Sequence, residues 1–140
     1  MKKNVQISII GLQNTDEGKP ERYELVTEGD MEETPDGVSF SYMESELTGL
    51  EGTKTTIDVS DGRVMLTREG QVSARMMFEE GRKNYTMYET PYGAISMGVS
   101  TLGLTSTVKN GVHDLFIRYM IDVDSSVISR NTFKISVREV

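Results

Sequence analysis

The sequence has no cysteine and a single histidine, His113, and these scarcities remove much catalytic and metal chemistry at once. Without cysteine there are no disulfides and no thiolate to act as nucleophile or ligand, a usage that fits an expected cytoplasmic location. One histidine excludes a multi-histidine metal centre, and a serine–histidine–carboxylate triad would have to use it. Its neighbour Asp114 points to the opposite face of a strand, and Asn110-Gly111-Val112-His113 reads as a turn flank with an exposed histidine. Basic charge is scarce as well: 15 Lys and Arg stand against 22 Asp and Glu, a net charge of −7. Inside the chain no basic cluster exceeds Arg82-Lys83, so neither nucleic acid nor an anionic membrane surface is an expected partner. No run approaches the roughly 18 apolar residues of a membrane span. The N-terminal MKKNVQISIIGLQ is interrupted by Gln6, Ser8 and Gly11 and reads as a strand rather than a signal peptide. Missing too are a P-loop, a nucleophile elbow and a Rossmann fingerprint, so neither an enzyme class nor a cofactor is indicated.

What is present is strand. Gln71–Thr101 reads as three consecutive antiparallel strands, reversing at Glu79-Glu80-Gly81-Arg82 and at Thr90-Pro91-Tyr92-Gly93. Val72, Ala74, Met76 and Phe78 recur at every second position and supply a core face. The same alternation places Val5, Ile7 and Ile9 together, then Tyr23, Leu25 and Thr27, then Phe40 and Tyr42. Near the C-terminus it groups Leu115, Ile117, Tyr119, Ile121 and Val123, and then Phe133, Ile135 and Val137. Turn signals lie between these runs at Thr34-Pro35-Asp36-Gly37, Ser60-Asp61-Gly62 and Asn110-Gly111. Leu102–Val108 leads into the last of these. The pattern gives about ten short strands and no segment with a sustained helical apolar period. There is no internal repeat or interdomain linker, so residues 1–140 are expected to form one all-β domain. Short connections favour an up-and-down meander, and closing it removes exposed edges. The expected architecture is a closed antiparallel barrel of about eight to ten strands, with a two-sheet sandwich as the alternative.

Several segments in order along nearly the whole chain resemble the DUF1934 family of small bacterial proteins. They are Ser41-Tyr42-Met43-Glu44, Thr55-Thr56-Ile57-Asp58-Val59, Arg68-Glu69-Gly70, Phe78-Glu79-Glu80-Gly81 and Tyr88-Glu89-Thr90-Pro91-Tyr92-Gly93. The resemblance implies a calycin-like, lipocalin-related antiparallel barrel. It implies no activity, substrate or catalytic residue.

Polar residues that break the apolar alternation are the first place to seek a site. Glu44 and Glu46 continue the face of Phe40 and Tyr42, while Arg68 continues that of Val64 and Leu66. Both strands keeping register would turn Glu44 and Arg68 inward, where a charge needs a partner, so the two are expected to meet near Tyr42. Tyr42, Glu44, Arg68, Tyr88 and Tyr119 are the candidate lining of a ligand site, against the alternative of an ion pair closing one barrel end or simply two strand ends reaching solvent. The nine methionines suit either a packed core or an adaptable apolar pocket. Asp122 with Asp124, and Glu44 with Glu46, share faces but read as solvated strand ends; Glu28, Asp30, Glu32 and Glu33 read as a wet hairpin. Phe116, Arg118 and Met120 lie opposite the core face of their strand and, with Arg75 and Met77, form a candidate homodimer or partner contact. Two functions follow. One is a barrel binding a small apolar or mixed-polarity ligand; the other is a filled barrel acting as a structural or interaction module.

Overall fold

In β1 (Lys2–Asn14) the apolar alternation becomes an alternation of burial: Val5, Ile7 and Ile9 are shut away from solvent and the residues between them are not. Nine further strands repeat this logic in the computed structural model, which describes residues 2–15, 18–45 and 50–140. They are β2 (Glu21–Thr34), β3 (Gly37–Met43), β4 (Lys54–Ser60), β5 (Arg63–Glu69) and β6 (Ala74–Phe78). After them come β7 (Lys83–Thr90), β8 (Gly93–Lys109), β9 (Val112–Val123) and β10 (Ser126–Glu139). All ten lie in a single antiparallel sheet in the order β6-β5-β4-β3-β2-β1-β10-β9-β8-β7. Among the described residues no helix is long and apolar enough to cross a membrane.

That order is a meander in which the first strand pairs with the last, and the curled sheet brings β6 back against β7 as a nearly closed barrel. The β6–β7 seam is not a regular ladder. Ser73 and Glu89 exchange backbone hydrogen bonds of 2.9 Å each. Beyond them, the Thr86 hydroxyl donates to the carbonyl of Arg75, and the Asn84 amide donates to that of Met77 at 3.3 Å. Side chains thus satisfy carbonyls that a paired strand would otherwise hold. The sandwich alternative does not apply.

Turn chemistry fixes the connections. Asn110 and Gly111 have φ of 53° and 77°, the double positive φ that matches a two-residue hairpin to strand twist. β8 differs from the expected division of the chain: Leu102 does not begin a new strand. It is the extra residue of a bulge between Thr101 and Gly103, within one strand of 17 residues.

The middle of the barrel is filled by its own side chains, with Ile7, Phe40, Ile57, Val64, Phe78 and Ile117 essentially inaccessible. Space remains at both ends. The end ringed by the β2–β3, β4–β5 and β8–β9 turns holds a shallow cavity of about 560 Å³, and the opposite end holds one of about 670 Å³.

Candidate functional site

The larger cavity is built on a row of side chains in register. Tyr42 on β3 faces Thr55 on β4, Thr55 faces Arg68 on β5, and Arg68 faces Ala74 on β6. Glu44 lies beyond the end of β3, but its backbone N–H still donates to the carbonyl of Thr53 at 2.8 Å. The inward parity of β3 therefore carries on, and Glu44 is only 6% exposed. Its Oε1 accepts a 2.7 Å hydrogen bond from the hydroxyl of Thr55, and the Tyr42 hydroxyl also bonds to the carboxylate. Burial, reinforced by the negative charge of Glu44, holds the Tyr42 hydroxyl protonated far above the usual phenol range.

Arg68 does not meet Glu44 as expected from sequence: the salt bridges among the described residues include none between them. Neutral hydroxyls take the place of the guanidinium at the carboxylate. The Nε of Arg68 is buried without a hydrogen-bond partner, and its positive charge acts on Tyr23, Tyr42 and Tyr119, opposing the upward push that burial gives their hydroxyls. Tyr119, edge-on to Phe78 with ring centroids 4.9 Å apart, is pushed up to about 12, chiefly by burial and then by Tyr23. Ile9, Met76, Met97, Ile121 and Phe133 give the cavity apolar walls, and the exposed Glu21, Arg22 and Leu12 lie at its mouth.

Tyr42, Glu44, Arg68, Tyr88 and Tyr119, proposed from sequence as a lining, all line this one cavity. Sequence reasoning missed two members. Thr55 shares the inward parity of Ile57, which was a usable signal. Tyr23 shares that of Leu25, and its ring occupies space that Gly11 leaves: a Cβ at Gly11 would overlap it.

The remaining candidates separate. Arg75, Phe116 and Arg118 are exposed on the outer wall and Met77 and Met120 are half-buried there, but β7 and β8 stand between the β6 pair and the β9 trio. His113 is half-buried rather than exposed, because it faces inward from β9 and packs edge-on to Phe40 at 5.4 Å. Asp122 is likewise not a solvated strand end. It is buried, with Lys83 Nζ 2.8 Å from Oδ2, and the pair closes over Gly98, where a Cβ would come within 2.8 Å of both carboxylate oxygens. Asp124 is exposed in its turn, and Glu46 lies outside the described residues. Glu28, Asp30, Glu32 and Glu33 are exposed, as a wet hairpin requires. Among the described residues no group of three or more His, Asp or Glu converges as a metal site would need.

No curated protein matches the sequence. The fold is similar to the crystal structure of the ywiB protein from Bacillus subtilis, with a TM-score of 0.87 and 22% identity over 99% of this chain and 93% of that one. At that identity the likeness concerns the fold. The family model for DUF1934, a domain of unknown function, matches residues 7–135, and the chain belongs to that family.

Proposed function

We propose that the protein is a small-molecule binding barrel whose ligand occupies the end cavity. The observation that carries this reading is an unfilled volume of about 670 Å³, lined by apolar and polar side chains together, above a densely filled mid-barrel. Small-ligand sites are of this size and combine apolar walls with a few placed polar groups. A barrel with a purely architectural role has no need to surround an empty volume with tyrosine hydroxyls and a guanidinium. The same groups argue for binding over turnover. Tyr42 and Tyr119 stay protonated at neutral pH and so donate hydrogen bonds instead of accepting protons, and Glu44 is engaged by Thr55 and Tyr42.

The test combines native mass spectrometry of protein from its own host with titration of Nile red, a neutral apolar dye. A retained adduct, with dye uptake lost in a Met97→Trp variant that fills the cavity, is expected. Bare protein together with no dye uptake would remove the reading.

A second reading, an interaction module working through the outer wall, is favoured by one observation. Tyr85 and Met87 on β7 are 74% and 52% exposed, and Phe116 on β9 is 38% exposed, on the wall that also carries Arg75, Met77, Arg118 and Met120. Sedimentation at micromolar concentration tests self-association. A dimer that dissociates in a Phe116→Lys variant is the supporting outcome, and a monomer throughout is the opposing one.

A further inference from the structure

A guanidinium held partly out of water needs acceptors, and proteins nearly always supply them. Here the supply is uneven. The buried carboxylate of the cavity, Glu44, is satisfied by hydroxyls from Thr55 and Tyr42. The buried Nε of Arg68 has no partner, and none of the salt bridges among the described residues uses this side chain. Arg22, at the mouth, is already paired with Glu24. The cavity therefore meets its own negative charge with neutral donors and leaves its positive charge with bonding capacity unspent. Tyr23 and Tyr119 stand close enough for the charge of Arg68 to act on them, so further O–H groups lie around the same position. The lining also carries Ile9, Met76, Met97, Ile121 and Phe133, in which the flexible methionines can adjust to an apolar body, beside buried Ser129 and Asn131, whose side chains bond to each other.

We infer that the cavity selects amphiphiles with one anionic oxygen head, such as a carboxylate, held by Arg68 and neighbouring tyrosine hydroxyls, with the apolar body against the methionine-containing wall. This rests on the binding reading above and specifies its ligand class. The planar fork of arginine suits a two-oxygen anion. A doubly charged head such as a phosphate monoester is disfavoured, because among the described residues the cavity's charged groups are Glu21, Arg22, Glu44 and Arg68, and of these only Arg68 is a cation without a carboxylate partner. An ammonium head would find Glu44 already engaged and Arg68 repelling it.

The test uses the full chain and three probes of equal chain length below their micellar concentrations: dodecanoate, dodecanol and dodecylamine. Each displaces Nile red at neutral pH from the wild type, Arg68→Gln and Arg68→Lys. Dodecanoate should bind at least about tenfold more tightly than dodecanol, the scale of one charge-assisted hydrogen bond, with dodecylamine weakest. Arg68→Gln should erase the preference while leaving dodecanol affinity within about twofold, and Arg68→Lys, which keeps charge without the fork, should retain part of it. Equal affinities in the wild type, or a preference that survives Arg68→Gln, would overturn the anion anchor and leave the binding reading standing. Failure of every probe and of the dye would defeat the binding reading itself. If Arg68→Gln does not fold, the wild-type ranking and Arg68→Lys still decide the matter.

Discussion

Thr55→Val replaces a hydroxyl by a methyl of similar volume at a fully buried position, and the hydroxyl donates to Glu44 at 2.7 Å. The shape of the site survives and one donor to a buried carboxylate is lost. A hydrogen bond to a charged group contributes about 1.5–3 kcal/mol, and removing its donor leaves the acceptor with the cost of desolvation. A small hydrophobic gain from the new methyl works in the other direction, so the expected loss is about 2 kcal/mol. For a chain of 140 residues, with an unfolding entropy of about 2.1 cal/mol/K per residue, this lowers Tm by roughly 7 °C. The measurement is urea unfolding followed by far-UV circular dichroism and tyrosine fluorescence, with the midpoint shifting at constant m. The Glu44→Gln background supplies the second arm. There the bond is neutral, so the same substitution should cost about half as much. A Thr55→Val protein within about 0.5 kcal/mol of wild type, or an equal loss in both backgrounds, would refute the description of Glu44 as a buried carboxylate held by hydroxyls.

Alkaline pH should expose the buried phenols. The folded-state pKa values of Tyr42 and Tyr119 are raised, so the folded chain keeps protons that the unfolded chain releases above about pH 10. Their contribution is therefore complete below pH 10 and falls by about 1.4 kcal/mol per pH unit per tyrosine above it, until about pH 12 for Tyr119; Tyr119→Phe should flatten the slope of stability against pH. Gly11→Ala should displace the Tyr23 ring, costing about 1 kcal/mol by overpacking while weakening Nile red uptake severalfold, read by unfolding and by dye titration. Asp122→Asn removes the buried partner of Lys83 on the outer wall and should lower stability by about 1 kcal/mol in a urea melt while leaving dye uptake unchanged.

The strands were legible because their burial alternates on one face, and because pairs such as Asn110-Gly111 specify hairpins by themselves. Parity also turned Glu44 and Arg68 inward and placed Tyr42 and Tyr119 on core faces. What parity could not provide is the neighbour across the sheet. Glu44 directly follows β3 and Arg68 belongs to β5, and the residue between them is set by the register of β4, which places Thr55 there. A hydroxyl on that intervening strand took the role assigned to the guanidinium. Tyr23 escaped notice for a similar reason: its ring depends on the missing side chain of Gly11, one strand away. Leu102 shows the other limit, since a bulge shifts register without a proline or a turn to announce it.

Pairing the first strand with the last has a consequence for synthesis. β1 emerges early, yet one of its edges has no mate until β10 follows, and at roughly 5–20 residues per second that interval lasts several seconds or more. During it the sequence VQISII presents an open hydrogen-bonding edge of the kind that recruits other chains, with Lys2 and Lys3 immediately upstream as charged guards. A circular permutant joining Val140 to Met1 through a short linker, with new termini in the β6–β7 turn, would make β1 and β10 a covalent hairpin. The late pairing would then pass to the seam that side chains already stitch, and such a chain should refold faster and aggregate less.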